Sequence, residues 1–205
     1  MHRRRVNSPR QKSRWWDGSS RTGWKNVAVP PTIAVDDPTA PDVLDLLREH
    51  LTDMFATSPA ESVHALDPSA LAAPGITFWT SRDSSGTLLG CVALKHLGPT
   101  DGELKSMRTA PAARGRGVGA AMLAHVLAVA ADRGIRTVHL ETGTEDYFAP
   151  ARRLYERAGF VPCPPFADYV LDPHSVFYRL TLTATTEPAA SAVPATGPTA
   201  ARPAS

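Results

Sequence analysis

The run RGRGVG, Arg114 to Gly119, stands between a polar segment, ELKSMRT, and a long apolar stretch. Three glycines at alternate positions, Gly115, Gly117 and Gly119, remove Cβ atoms where a backbone would curl round an anion, leaving successive N–H groups free to point at it. A helix beginning at Val118 would present its positive N-terminal end to the same anion. Arg114 and Arg116 add guanidinium donors matched to phosphate oxygens. The chemistry this spacing suits is pyrophosphate binding. A flexible turn that merely opens a helix would also use glycine, so the surrounding sequence has to separate the two. No GxxxxGK[ST] run occurs, and RGRGVG lacks the GxGxxG spacing of dinucleotide-binding units.

These residues need a scaffold, and apolar spacing outlines it. A strand is expected at Thr32 to Val35. A helix follows from Pro41, with Val43, Leu44, Leu47, Leu51, Met54 and Phe55 at helical spacing, and ends near Ser58–Pro59. After a polar loop to Pro74, ITFWTS and LLGCVALKHL flank DSSG, a hairpin signature, and GPTDG turns the chain into ELKSMRT. From Val118 to Arg133 one face carries Val118, Met122, Leu123, Val126, Leu127 and Ala130, and the stop at Gly134 predicts an amphipathic helix with a glycine just past its end. TVHLET alternates as a strand does, and Pro150 opens a short helix closed by Gly159. SVFYRLTL supplies a last strand with Val176, Tyr178, Leu180 and Leu182 on one side. The order predicts an α+β domain with a mixed, mostly antiparallel twisted sheet and helices on both faces.

The 205 residues, 42% of them hydrophobic, supply one well-buried core. That core spans 31–182, between a basic disordered tail (1–30) and an Ala/Pro/Thr-rich disordered tail (183–205) too poor in large apolar residues to order. Net charge is only +2, but the first 25 residues hold eight Lys/Arg against one acid, which leaves the remainder mildly acidic. With Trp15, Trp16 and Trp24 interleaved, that start could touch nucleic acid or an anionic membrane; a disordered extension is the reading preferred here. It has no apolar signal core, no run reaches membrane-spanning length, and the two cysteines lack metal-ligand spacing, so a reduced, cytoplasmic setting follows, with no metal and no membrane partner.

The motif residues resemble the GNAT N-acetyltransferase family, whose acyl-CoA signature is Q/R-x-x-G-x-G/A; Arg114, Gly117 and Gly119 fill it. PARRLYERAGF, Pro150 to Phe160, is similar to that family's A-x-x-L-Y-x-x-x-G-F element through Ala151, Leu154, Tyr155, Gly159 and Phe160. One position departs: the Asn often found three residues before that alanine is Phe148 here. The resemblance implies two central strands that splay at a bulge and admit the pantetheine arm of acetyl-CoA. Met107, Arg108 and Thr109 would lend it backbone groups, while Arg114, Gly115, Arg116, Gly117, Val118, Gly119 and Ala151 line the rest of its site.

Acyl transfer to an amine needs a neutral amine, a polarised carbonyl and an acid for the departing thiolate. Direct attack in a ternary complex requires no protein nucleophile, and the chain has no GxSxG elbow. The resemblance assigns the acid to Tyr155; packing on the sheet is the alternative. Glu103 is the candidate base, and a structural pair with Lys105 on the same strand face is its alternative. His139 and Glu141 on the next strand could join that pocket. The acceptor site is expected from SPAESVHALD and FADYVLDPHSVF, which supply His64, Phe166, Tyr169 and Ser175 beside Lys105. Together these readings describe an N-acetyltransferase that moves an acetyl or short acyl group from acetyl-CoA to a small-molecule amine. Protein or peptide N-acetylation and a non-catalytic acyl-CoA sensor are the alternatives, and a homodimer stays open.

Overall fold

The computed structural model describes residues 30–57, 59–60 and 67–182. The two expected tails, apart from residue 30, lie outside these residues, and so does His64. In chain order the elements are β1 (Thr32–Val35), α1 (Pro41–Thr57), α2 (Pro68–Leu71), β2 (Ile76–Arg82), β3 (Leu88–His96), β4 (Asp101–Thr109), α3 (Val118–Asp132), β5 (Thr137–Gly143), α4 (Ala149–Arg157), β6 (Val161–Pro162) and β7 (Ser175–Thr181). Seven strands form one sheet in the order β1-β2-β3-β4-β5-β7-β6. All neighbours are antiparallel except β4 and β5, which α3 joins as a parallel pair.

The sheet separates two cores, because alternate strand residues point to opposite faces. On one face Val118, Met122, Leu123, Val126 and Ala130 of α3 pack with Val92, Leu94, Leu104 and Leu140, and Tyr155 of α4 joins them. On the other, Val43, Leu46 and Leu47 of α1 and Leu71 of α2 cover Phe78, Cys91 and Ala93. Burying each large aliphatic chain contributes about 1.5–3 kcal/mol, so α3 is held to the sheet along its whole length.

Three local differences from the sequence reading have physical causes. In α1, Leu46 is buried and Phe55 is exposed, because only the first half of the helix lies over the sheet. A one-turn helix, α2, stands in the segment read as loop; Asp67 caps it by accepting from the Ser69 N–H at 2.8 Å, and Pro68 occupies its first turn. One turn is too short to show an apolar period. Finally, β4 begins at Asp101, so the DG read as part of a turn is paired strand, with Gly102 opposite His96 and close under Leu94 and Ile135. The two-residue β6 has no alternation of its own and exists through its pairing with β7.

The register of β3 on β4 positions the site. Cys91 faces Arg108 and Ala93 faces Lys105, so β4 carries one extra residue at a bulge where Ser106 has φ +50°. The extra residue inverts the alternation beyond it. Lys105 and Arg108 therefore share the α1 side, although an odd number of positions separates them, and Met107 packs toward α3. The β4–β5 pairing runs from Asp101↔Thr137 to Leu104↔Leu140 and goes no further. Past that point the two strands part, and the β5-side backbone edge from Lys105 to Thr109 has no strand partner among the described residues.

Candidate active site

A cleft of about 640 Å³ opens where the strands part. Its walls include Met107, Arg108 and Thr109 of β4, Arg114, Gly115, Gly117, Val118 and Gly119 of the loop and α3, and Ala151 and Tyr155 of α4. Every residue the sequence assigned to the acyl-CoA site is therefore gathered here except Arg116, whose exposed side chain lies off the cleft wall. Gly115 and Gly117 have φ +73° and +83°, the left-handed region that an L side chain adopts at a cost. A Cβ on either would meet no protein atom within 4 Å; it would stand in the open cleft. Gly119 differs, since its Cβ would press on Thr109 Oγ1 at 3.3 Å and Leu154 Cδ2 at 3.4 Å. Gly117 is the N-cap of α3 and offers no side-chain cap. The first-turn N–H groups lack a side-chain acceptor and suit an anionic ligand, so the loop fits the pyrophosphate of CoA.

Arg108 was expected to lend backbone. Its side chain also has a task the sequence did not show: it crosses to α1, where Nη2 donates to Glu49 at 2.8 Å and to Asp53, while Nη1 donates to Tyr147 at 2.7 Å. Tyr147 in turn donates to Asp53 at 2.5 Å, which ties the start of α4 to α1 across the cleft. These bonds hold the Asp53 carboxyl below the usual carboxylate range, the Tyr147 hydroxyl contributing most. Phe148, where the motif that this chain resembles often has Asn, is 8% exposed and supplies an apolar wall.

A second, smaller cavity of about 90 Å³ adjoins the cleft on the α1 side. Glu103, Lys105, Glu141 and Tyr169 line it, and His50, Met107, Phe148, Ala151 and Tyr155 are common to both cavities. Glu103 is 2% exposed, and its Oε1 accepts from Lys105 Nζ at 3.0 Å and from the Tyr169 hydroxyl at 2.7 Å. Lys105 Nζ also reaches the Tyr169 oxygen at 2.7 Å, closing a triangle. Glu103 and Lys105 do share a strand face, because the bulge falls after Lys105. Burial first, and the Glu103 carboxylate second, push the Tyr169 phenol far above its ordinary range. The Tyr155 phenol is raised by burial and by the charge of Glu141, so it keeps its proton at neutral pH.

The remaining acceptor-site expectations divide. Phe166 lies behind Tyr169, ring centroids 5.0 Å apart, and stacks on His139 at 4.7 Å rather than lining the cavity. Ser175 donates to Glu141 Oε1 at 2.7 Å and so holds a residue that does line it. His139 faces Phe166 and Asp101, outside both cavities. Glu49, His50, Asp53 and Tyr147 were missed; Glu49 and Asp53 read in sequence as the polar side of an amphipathic helix, His50 stands on the apolar stripe of Val43 and Leu47 as a lone polar residue, and only the packing of α1 against the bulge brings them in.

Splayed parallel strands, a bulge at the splay and a glycine-rich helix cap beside it define an acyl-CoA-binding acyltransferase class. Residues 41–160 match the acetyltransferase (GNAT) family, and the chain belongs to that family. It is 49% identical over 151 residues to the uncharacterized N-acetyltransferase YedL of Escherichia coli, covering 74% of this chain and 94% of that protein. Against the uncharacterized N-acetyltransferase YsnE of Bacillus subtilis it is 47% identical over 145 residues, covering 71% and 95%. A solved chain from Klebsiella pneumoniae is 29% identical with a TM-score of 0.61, covering 75% and 98%. The GNAT acetyltransferase of Elizabethkingia anophelis, solved with acetyl-CoA bound, shares the fold at a TM-score of 0.55 and 16% identity, covering 75% and 99%. The protein is thus an acetyl-CoA-dependent N-acetyltransferase. Among the described residues no helix is long and apolar enough to cross a membrane.

Proposed function

We propose that this enzyme acetylates an amine of a small molecule by direct attack within a ternary complex. The observation that carries the reading is the position of Tyr155 on the shared wall of the two cavities, one suited to acyl-CoA and the other, at about 90 Å³, to a compact acceptor. The small volume suits a compact amine.

Acetyl-CoA, when bound, supplies an activated acyl thioester. Gly115, Gly117 and the first turn of α3 hold its pyrophosphate with backbone N–H groups, with Arg114 at the cleft wall. The open β4 edge at Met107 to Thr109 receives the pantetheine arm by backbone hydrogen bonding. Tyr155, buried and with its proton held firmly, donates to the departing thiolate. Glu103, Lys105 and Tyr169 shape the acceptor cavity. Because Glu103 Oε1 already accepts two hydrogen bonds, its carboxylate is better placed to orient the amine than to act as a free base.

A free-thiol assay with acetyl-CoA against amino acids, polyamines and aminoglycosides tests this reading. Release of CoA with at least one of these amines is the expected result. Tight acetyl-CoA binding without release for any of them would favour a sensor, and release with peptides alone would favour peptide acetylation.

A further inference from the structure

The acceptor nitrogen must lose a proton, and Glu103, a carboxylate of the smaller cavity, is already held by an ammonium and a hydroxyl. His50, on the third turn of α1, lines both cavities together with Tyr155. Its Nδ1 is sealed from solvent and has no hydrogen-bond partner among the described residues. His139 Nδ1 is in the same state but faces neither cavity; in His50 the unpaired atom coincides with a place on the wall between the cofactor cleft and the smaller cavity, and that coincidence calls for an explanation. Nε2 has no hydrogen-bond partner among the described residues and is not sealed, so it is the nitrogen available to a ligand.

We propose that His50 is a catalytic residue of this enzyme and takes, through Nε2, the proton that the acceptor amine loses. The inference rests on the acetyltransferase reading and deepens it. As the amine nitrogen bonds to the acyl carbon, its proton passes to Nε2. The C–S bond then breaks with its electron pair on sulfur, and the thiolate takes the proton of Tyr155. The imidazolium returns its proton to the tyrosinate, directly or through water, and both residues are restored. No oxidant, metal or further reactant is needed.

The charged groups around the ring keep it neutral at rest. Arg108 on β4 repels a proton from it, while Asp53, on the same helix, attracts one and is largely neutralised by Arg108 and Tyr147. Glu49, also on α1, is bound to Arg108 as well. Burial with Arg108 nearby brings the imidazole down to about 4, so the resting ring is neutral and able to accept. The protonated nitrogen of the tetrahedral adduct is more acidic than a free ammonium, which narrows the gap to so weak a base.

The test uses the full chain and its His50→Gln and His50→Ala variants, with acetyl-CoA affinity from calorimetry and CoA release with ethanolamine, spermidine and L-lysine. The expected result is a loss of turnover of roughly a hundredfold in both variants, unchanged acetyl-CoA affinity, and partial recovery of His50→Ala by added imidazole. Near-normal turnover in His50→Gln would overturn the proposal. So would a loss that imidazole does not recover, because that marks a packing role. If the wild-type chain binds acetyl-CoA but releases no CoA with any of the three amines, the small-amine reading itself has failed and takes this inference with it, an outcome visible before any variant is compared.

Discussion

Replacing Gly117 by alanine separates what the loop does for the fold from what it does for the ligand. Its φ of +83° places an L side chain in the left-handed region, which costs about 1–2 kcal/mol whatever the neighbouring space. Gly75 has the same φ of +83° and, like Gly117, no atom within 4 Å of the place a methyl would take, but it lies off the cleft wall. Gly75→Ala is thus a matched control for backbone strain. Both variants are expected to unfold at lower temperature, by about 2–4 °C for each kcal/mol in a domain of this size. Only Gly117→Ala puts a methyl where an anion must approach the first N–H groups of α3. Losing one charged hydrogen bond, about 1.5–3 kcal/mol, weakens CoA binding at least tenfold. Titration calorimetry with CoA on both folded variants gives the answer. Unchanged affinity in Gly117→Ala, or an equal loss in Gly75→Ala, would refute the assignment of the loop to the pyrophosphate.

Other perturbations reach the chemistry and the buried charges. Tyr155→Phe keeps the ring packed on Phe160 and removes only the acid; turnover is expected to fall roughly a hundredfold with CoA affinity unchanged, and normal turnover under chemistry-limited conditions would reduce Tyr155 to packing. Glu103→Gln leaves the ammonium of Lys105, 10% exposed, without its carboxylate, at a cost of about 3–5 kcal/mol by urea unfolding. The double variant with Lys105→Met is expected to be no less stable than either single one, and simple additivity would show that the pair is not coupled. Stability should also report on His50, whose imidazole lies at about 4 when folded against 6.5 ordinarily. Between those values the unfolded chain binds a proton that the folded chain does not, so this stability is complete above pH 6.5 and is lost as pH falls toward 4, at most about 3 kcal/mol. The slope of stability between pH 7 and 4.5 is expected to flatten in His50→Gln, and identical slopes would show that the ring is not held neutral.

Much of this protein could be read directly from residue spacing. The periodicity of Val118 to Ala130, the glycine triplet before it and the alternation in β5 and β7 are local properties, and each emerged as the element and face expected, because a helix or strand shows its period within a few residues. Tyr155, Ala151 and the loop glycines were legible for the same reason, since their motifs are contiguous. The structure alone decided how the two halves of the site meet. The bulge at Ser106 is a matter of register between strands, invisible in either strand by itself, yet it turns Arg108 toward α1 and ends the pairing with β5. Glu49 and Asp53 look in sequence like the polar side of a helix, whereas His50 falls at helical spacing from Val43 and Leu47 on its apolar face; α1 brings the two carboxylates to Arg108 and His50 to both cavities only because it extends past the sheet and over the splay. Local periodicity reports which face of an element is apolar, whereas the partner that face or its polar neighbours will meet depends on contacts some 50 residues away in the chain, and those are settled only when the whole sheet has closed.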